Sequence, residues 1–113
     1  MGVKNNSQGL RDWMVQRISA VLIAVYFISL TIVCMSHLDQ LATHSFWADL
    51  MASALFRWST ACILFLMVWH AWIGLWTVMT DYVHHRCLQR LLLLIVAVLL
   101  IGYFAWGVSI LWA

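Results

Sequence analysis

A histidine within a long apolar stretch is the residue of this sequence best suited to bind a cofactor. His70 lies near the centre of the stretch from about 58 to 80, which contains no acidic residue. Because a polar ring in an apolar surrounding loses its hydration, it faces neighbouring helices and has a partner there. That partner is either a hydrogen-bonding group of another helix or a metal, since neutral imidazole is a common axial ligand of haem iron. Gly74, one helical turn away, leaves room for a flat macrocycle.

The sequence has no second histidine at the depth of His70. His37 and His44 lie beyond one end of the apolar stretches, and His84 and His85 lie beyond the other. A haem with two histidine ligands would therefore take its second ligand from another polypeptide or from a second copy of this chain, because cofactor sites in helix bundles are shared between facing helices. Adjacent histidines point in different directions, so we expect no metal site at His84 and His85.

Asp81 and Tyr82 follow the same apolar stretch directly. They lie roughly 18 Å along a helix axis from His70, at about 1.5 Å per residue. A phenol can donate a hydrogen bond to a quinone carbonyl, and a nearby carboxylate can orient it or relay a proton. The alternative is structural, because tyrosine is common at membrane interfaces and Asp81 can end the helix or pair with Arg86.

Two arginines near the first apolar stretch are candidates to bind an anionic cofactor group such as a haem propionate. Arg11 and Arg17 precede that stretch. Arg17 lies at its edge, where an unpaired charge is costly and the side chain extends toward water. A signal of membrane orientation explains both arginines better than anion binding does, and the two interpretations stay open.

The composition limits where these side chains can lie. The chain has 113 residues, of which 65% are hydrophobic and 9% charged, and its mean hydropathy is +0.95. A soluble domain of this size needs more polar surface. A spanning helix takes about 20 apolar residues to cross a hydrocarbon layer of about 30 Å, so three spans leave no room for a soluble catalytic domain. A net charge of +2 gives no indication of nucleic-acid binding.

Three apolar stretches predict three transmembrane helices and no other domain. We expect an all-α membrane protein that forms a helix bundle with a partner membrane subunit, because three helices can hardly enclose a site alone. The segment from Phe46 to Leu55 has apolar residues at helical spacing, which predicts an interfacial helix or an early start of the second span. The single membrane-anchor domain covers residues 1–113, with spans at about 18–36, 58–80 and 91–113.

Basic residues predict the orientation of the chain. Lys4, Arg11 and Arg17 precede the first span, and Arg86 and Arg90 lie between the second and third. The positive-inside rule therefore predicts a cytoplasmic N-terminus and an outward-facing C-terminus. Neither a cleavable signal peptide nor a transit segment is recognisable, so we expect a multi-pass protein of a bacterial inner membrane.

A block around His70 resembles a known family. The run His-Ala-Trp-Ile-Gly-Leu-Trp at 70–76 and the run Thr-Asp-Tyr-Val at 80–83 resemble the hydrophobic D subunit of enterobacterial-type succinate dehydrogenase, respiratory complex II. Residues 11–17 are similar to the start of that family's first helix, and the resemblance covers nearly the whole chain. Where the family continues with lysine and proline, this sequence has His84 and His85, so we expect a different turn and a loop charge that changes near neutral pH.

The resemblance implies a function and a set of partners. The histidine matching His70 is one axial ligand of haem b, and a second three-helix membrane subunit supplies the other. The tyrosine matching Tyr82 binds ubiquinone, with the aspartate matching Asp81 close by. Together the two membrane subunits anchor an iron–sulfur subunit and a flavoprotein, which oxidises succinate to fumarate and passes electrons to the quinone.

Other functions remain compatible with the same residues. The chain could be the anchor of a fumarate reductase, a cofactor-free component of a small channel or transporter, or a homodimeric cytochrome with His70 from each copy. If the chain belongs to a redox enzyme, the cofactors carry out the electron transfer, and the chain binds and orients them. We therefore expect no catalysis by this chain alone.

Overall fold

The computed structural model describes residues 6–113, with side chains from residue 7 onward. Lys4, used above to predict the orientation, lies outside these residues. Every regular element in the described part is helical, which confirms the all-α prediction. The elements are α1 (Asn6–Ser36), a short 3-10 turn (Leu38–Gln40), α2 (His44–Ala52), α3 (Ala54–Tyr82) and α4 (Arg86–Leu111).

Helices α1, α3 and α4 are long and apolar enough to cross a membrane. They contain 31, 29 and 26 residues, whereas about 20 residues suffice for the hydrocarbon layer. The predicted number of spans is therefore confirmed, and each helix begins earlier in the chain than its predicted span. The excess length extends the helices into the interfacial layers, where charged and amphipathic side chains reach water.

The most consequential extension is at the start of α1. Residues 6–17 continue the helix without a break, because the chain has no proline and the segment contains good helix formers. The Arg17 guanidinium carbon lies 5.6 Å from the centre of the Trp13 ring, a cation–π contact within one helical turn. This extension places Asp12 and Gln16 on the same helix as the first apolar span.

The segment between the first two spans divides at Ser53. The backbone of Ser53 is extended (φ −70°, ψ 124°). The Oγ of Ser53 accepts a hydrogen bond from Phe56 N at 3.4 Å, which caps α3. Arg57 Nε donates to Met51 O at 3.0 Å and holds α2 against the start of α3. The segment is therefore a separate short helix followed by an early start of the second span. The early start is confirmed from Ala54 onward, and the interfacial position of α2 stays a prediction.

Helix α3 is the centre of the molecule, because it packs against each of the other helices. Tyr26 Oη and Thr60 Oγ1 form a 2.7 Å hydrogen bond that connects α1 to α3. On the other side, Gly107 of α4 lies so close to α3 that an added Cβ would be 2.8 Å from Leu64 Cδ1. Near the chain's C-terminus, Trp112 packs edge-to-face on a tryptophan of α3, with ring centres 5.2 Å apart.

The interior is small, as expected of helices whose apolar faces meet lipid or another subunit. Among the described residues, the buried hydrophobic side chains are Ile63 and Leu111. Two polar residues, Ser19 and Gln89, are also buried. Both make side-chain hydrogen bonds to another helix or to the end of one. Buried polar contacts therefore join the helices at two defined points.

Candidate functional site

An open groove between α1 and α3 contains His70. Its volume is about 500 Å³, within the range of roughly 300–1,000 Å³ typical of small-molecule and cofactor sites. On each helix the lining residues recur every three or four positions, so each helix contributes one face. The lining residues are Gly9, Asp12, Trp13, Gln16, Arg17 and Ala20 of α1, and His70, Ile73, Gly74 and Thr77 of α3.

The imidazole of His70 is held by a residue of the facing helix. Its Nδ1 lies 3.0 Å from the Oγ of Ser19, a side chain that is only 1% exposed. The Ser19 hydroxyl also donates to the carbonyl oxygen of Gln16 at 3.1 Å. The other ring nitrogen, Nε2, has no hydrogen-bond partner among the described residues. A neighbouring helix thus binds one nitrogen of His70 and leaves the second available to the groove.

Gly74 and Gln16 form the wall of the groove beside His70. A Cβ added to Gly74 would lie 3.6 Å from Gln16 Nε2, an ordinary contact, so only a small residue fits there without filling the groove. Gln16 Oε1 is buried and has no hydrogen-bond partner among the residues that the structure describes. Leaving such an atom unpaired costs about 1–3 kcal/mol, and an occupant of the groove with a suitable polar group would remove that cost.

These residues fit a haem that takes one axial ligand from this chain. His70 offers a nitrogen, Gly74 offers space, and Arg17 offers a cation at the edge of the groove. Within the described residues, no three His, Cys, Asp or Glu side chains lie together as a metal-binding group. The residues that line the groove include one histidine, His70, so a haem bound here by two histidines would take its second ligand from outside this lining. Arg11 is exposed and does not line the groove.

Asp81 and Tyr82 lie apart from the groove of His70. Tyr82 is the last residue of α3 and is 77% exposed, and Asp81 is also exposed. Across the part of the chain that the structure describes, Asp81 makes no ion pair with Arg86. The pairing considered as a structural role for Asp81 is therefore absent. Neither residue lines the cavity beside His70, so the structure separates the two candidate sites along α3.

Gln89 fixes the end of α3 that carries Asp81 and Tyr82. Its Nε2 donates to Met79 O at 3.1 Å and to Val83 O at 3.0 Å. Gln89 is 9% exposed, so these bonds are made where water competes little. Met79 O also accepts from Val83 N at 3.0 Å, so Gln89 adds a second hydrogen bond there and supplies one to Val83 O, just beyond the helix. This role could not be predicted from the sequence, because a lone glutamine early in α4 resembles an ordinary interfacial residue.

The two histidines of the following loop have different roles. His85 is the N-cap of α4, and its Nδ1 accepts a hydrogen bond from Leu88 N at 3.2 Å. His84 lines a cavity of about 310 Å³ beside Arg86 and Arg90. The loop is three residues long, between α3 and α4. The two histidines are therefore part of a short turn, in which His85 caps the following helix.

Comparisons with known proteins agree with the resemblance in the sequence. Residues 3–107 match the family of succinate dehydrogenase/fumarate reductase transmembrane subunits. The chain is also 35% identical over 109 residues to the succinate dehydrogenase hydrophobic membrane anchor subunit of Coxiella burnetii (strain RSA 493 / Nine Mile phase I), an alignment that covers 96% of this chain and 93% of that protein. The chain therefore belongs to the family of succinate dehydrogenase/fumarate reductase transmembrane subunits, as a membrane anchor without catalytic activity of its own.

Proposed function

We propose that this chain anchors a succinate:ubiquinone oxidoreductase in a bacterial inner membrane and shares one haem b with a second membrane subunit. The observation that carries the proposal is His70, which lines an open groove and keeps Nε2 without a partner among the described residues. When bound, haem b supplies a one-electron redox centre within the membrane. The second axial ligand comes from the partner membrane subunit, since this chain offers only His70 at that depth.

Arg17 and Gln16 add polar groups to the same proposal. Arg17 stands at the edge of the groove, where its guanidinium can pair with a haem propionate. Gln16 presents an unpaired buried amide oxygen, and rotation of the amide offers its NH₂ group instead. Arg11 is exposed and lies outside the groove, so it serves the orientation of the chain and contact with soluble subunits in this proposal.

Tyr82, with Asp81 beside it, contributes to the ubiquinone site in this proposal. The phenol of Tyr82 is exposed at the end of α3 and is free to donate to a quinone carbonyl. An iron–sulfur subunit and a flavoprotein cover this end of the bundle and deliver the electrons of succinate to the quinone. The chain itself binds and orients the quinone, and its carboxylate at Asp81 can accept or supply a proton there.

A reduced-minus-oxidised optical spectrum of the purified membrane complex tests the haem assignment. Wild type is expected to show a b-type haem signal, and His70→Ala is expected to lose it or alter it sharply because an axial ligand is missing. His37→Ala is the matched control, since His37 directly follows α1 and its Nδ1 contacts the carbonyl oxygen of Val33 at 2.9 Å. A wild-type complex without haem would favour a cofactor-free channel or transporter component, and an unchanged signal in His70→Ala would place the ligand elsewhere.

Two further measurements separate the remaining alternatives. Binding of one haem per two chains by the isolated chain would support a homodimeric cytochrome. Succinate oxidation is measured with a benzoquinone or a naphthoquinone as electron acceptor, and fumarate reduction with the corresponding quinol as donor. Their comparison distinguishes the two enzymes that share this family of anchors. The proposal expects faster succinate oxidation with the benzoquinone.

A further inference from the structure

Ser19 differs from the other hydroxyl residues of α1. Ser29, Thr31 and Ser36 donate to the carbonyl oxygen four residues earlier, at 2.7–2.8 Å, and are exposed. Ser19 donates to the carbonyl three residues earlier and is buried, with its oxygen 3.0 Å from His70 Nδ1. These three hydroxyls thus satisfy themselves within their own helix, whereas Ser19 also contacts the imidazole of another helix.

Ser19 has a single hydroxyl proton, so its two hydrogen bonds together determine which ring nitrogen of His70 carries the hydrogen. The carbonyl oxygen of Gln16 can only accept, so when both hydrogen bonds of Ser19 form together, its oxygen meets Nδ1 with a lone pair and Nδ1 carries the hydrogen. A neutral imidazole with hydrogen on Nδ1 has a free lone pair on Nε2, which is the form that binds a metal. The reverse polarity, with Ser19 donating to Nδ1, would place a hydrogen on Nε2 and block ligation there.

We propose that Ser19 is the positioning residue of His70: it accepts the Nδ1 hydrogen and thereby fixes both the tautomer and the direction in which Nε2 faces the groove. The inference rests on the proposed role of His70 as a haem ligand. Ligating histidines generally donate their second N–H to an oxygen that orients the ring and strengthens its donation to the metal. Here the orienting oxygen belongs to α1, so the ligand on α3 depends on the packing of two helices.

A purely structural role is the competing explanation, and Tyr26 provides the control for it. The hydrogen bond between Tyr26 and Thr60 also joins α1 to α3, at 2.7 Å, without contacting His70. If Ser19 served only to hold the helices together, then Tyr26→Phe and Ser19→Ala would have the same effect on the haem. Ser29→Ala is the second control, because it removes a serine hydroxyl from α1 that bonds only within the helix.

The experiment compares the haem of the purified complex in Ser19→Ala, Ser19→Thr, Tyr26→Phe and Ser29→Ala. The readouts are haem content per flavin, the low-spin electron paramagnetic resonance spectrum and the haem midpoint potential. Ser19→Ala is expected to weaken haem retention by about 10- to 100-fold, the usual effect of losing such a partner. The retained haem is expected to show shifted resonance positions and a more positive potential, because the imidazole donates less to the metal. Ser19→Thr keeps the oxygen and is expected to restore wild-type values.

Each other outcome counts against the inference. Wild-type retention, resonance positions and potential in Ser19→Ala would overturn it, as would an equal change in Tyr26→Phe. If Ser19→Ala prevents assembly, Ser19→Cys keeps a similar volume with a weaker acceptor and is expected to shift the same readouts. Unchanged readouts in Ser19→Cys, or failure of both variants to assemble, would assign Ser19 to packing instead.

The same set of variants distinguishes this inference from the function on which it rests. If His70→Ala leaves the haem signal intact, the ligand assignment itself is wrong. If His70→Ala abolishes the signal while Ser19→Ala matches wild type, His70 remains the ligand and only the positioning role of Ser19 is rejected.

Discussion

Tyr82 is a residue whose proposed function depends on one hydroxyl group. It ends α3 with 77% of its surface exposed, so removing the oxygen disturbs little packing. Tyr82→Phe is expected to raise the KM for ubiquinone about tenfold, since a lost hydrogen bond of about 1–1.5 kcal/mol corresponds to a factor near ten. Electron transfer from succinate to a soluble dye, which bypasses the quinone, should be unchanged.

Tyr103 supplies the matched control for that variant. It is 58% exposed and lies in α4, roughly 26 Å along the helix axis from its start at about 1.5 Å per residue. Tyr103→Phe removes the same group far from the proposed quinone site and should leave the KM unchanged. A wild-type KM in Tyr82→Phe would contradict the contact between Tyr82 and quinone.

The sequence indicated the ligand and the quinone candidate but not the residues that support them. His70 is conspicuous because it is the histidine within an apolar stretch. Ser19 is not conspicuous, because its role depends on the rotation of α1 against α3, which the spacing of residues in one helix does not determine. Gln16 was also missed, since the polar segment before the first span showed no sign of continuing the helix into the groove.

At the level of helices, the side chain of Gln89 determines how firmly the end of α3 is held. Gln89→Met keeps a similar shape but removes the donor to Met79 O and Val83 O. We expect a loss of about 1–2 kcal/mol, because Val83 O loses a hydrogen bond in a poorly hydrated place. The complex should inactivate at a lower temperature, and the KM for quinone should rise because Tyr82 lies between the two carbonyl groups along the chain.

Gln40→Met is the control for this substitution. Gln40 is exposed in the 3-10 turn after α1, so the same chemical change there should affect neither the inactivation temperature of the complex nor the KM for quinone. Equal thermal stability of Gln89→Met and wild type would show that the end of α3 is held by other contacts.

The number of spanning helices followed from composition, whereas the boundaries of the helices and the separate α2 required the structure. Long apolar stretches gave the three spans, because the thickness of a bilayer fixes their minimum length. The start of α1 at Asn6 depends instead on polar residues that form a helix because nothing interrupts it. The division at Ser53 reflects a capping hydrogen bond, which competes with simple continuation of the helix and is not determined by apolar spacing.

For the molecule as a whole, the orientation in the membrane is the main prediction. Three spans place the first loop and the C-terminus on one side, and the basic residues predict that this side is outward. In right-side-out vesicles, a membrane-impermeant maleimide is expected to label Thr43→Cys and Ala113→Cys in a background without native cysteines. In a variant that retains native Cys87 as its single cysteine, this residue should react only in inside-out vesicles stripped of the soluble subunits. The opposite labelling pattern would reverse the orientation.

The small interior has a consequence for how the cell makes this protein. The described part of the chain buries very few side chains, and one buried amide oxygen of Gln16 has no partner. In copies synthesised in excess of the other subunits, this oxygen would stay without a hydrogen-bond partner. The helices around it would then separate locally more often. We expect membrane proteases to degrade such copies quickly. Translation of the subunits in matched amounts would therefore protect this chain from degradation.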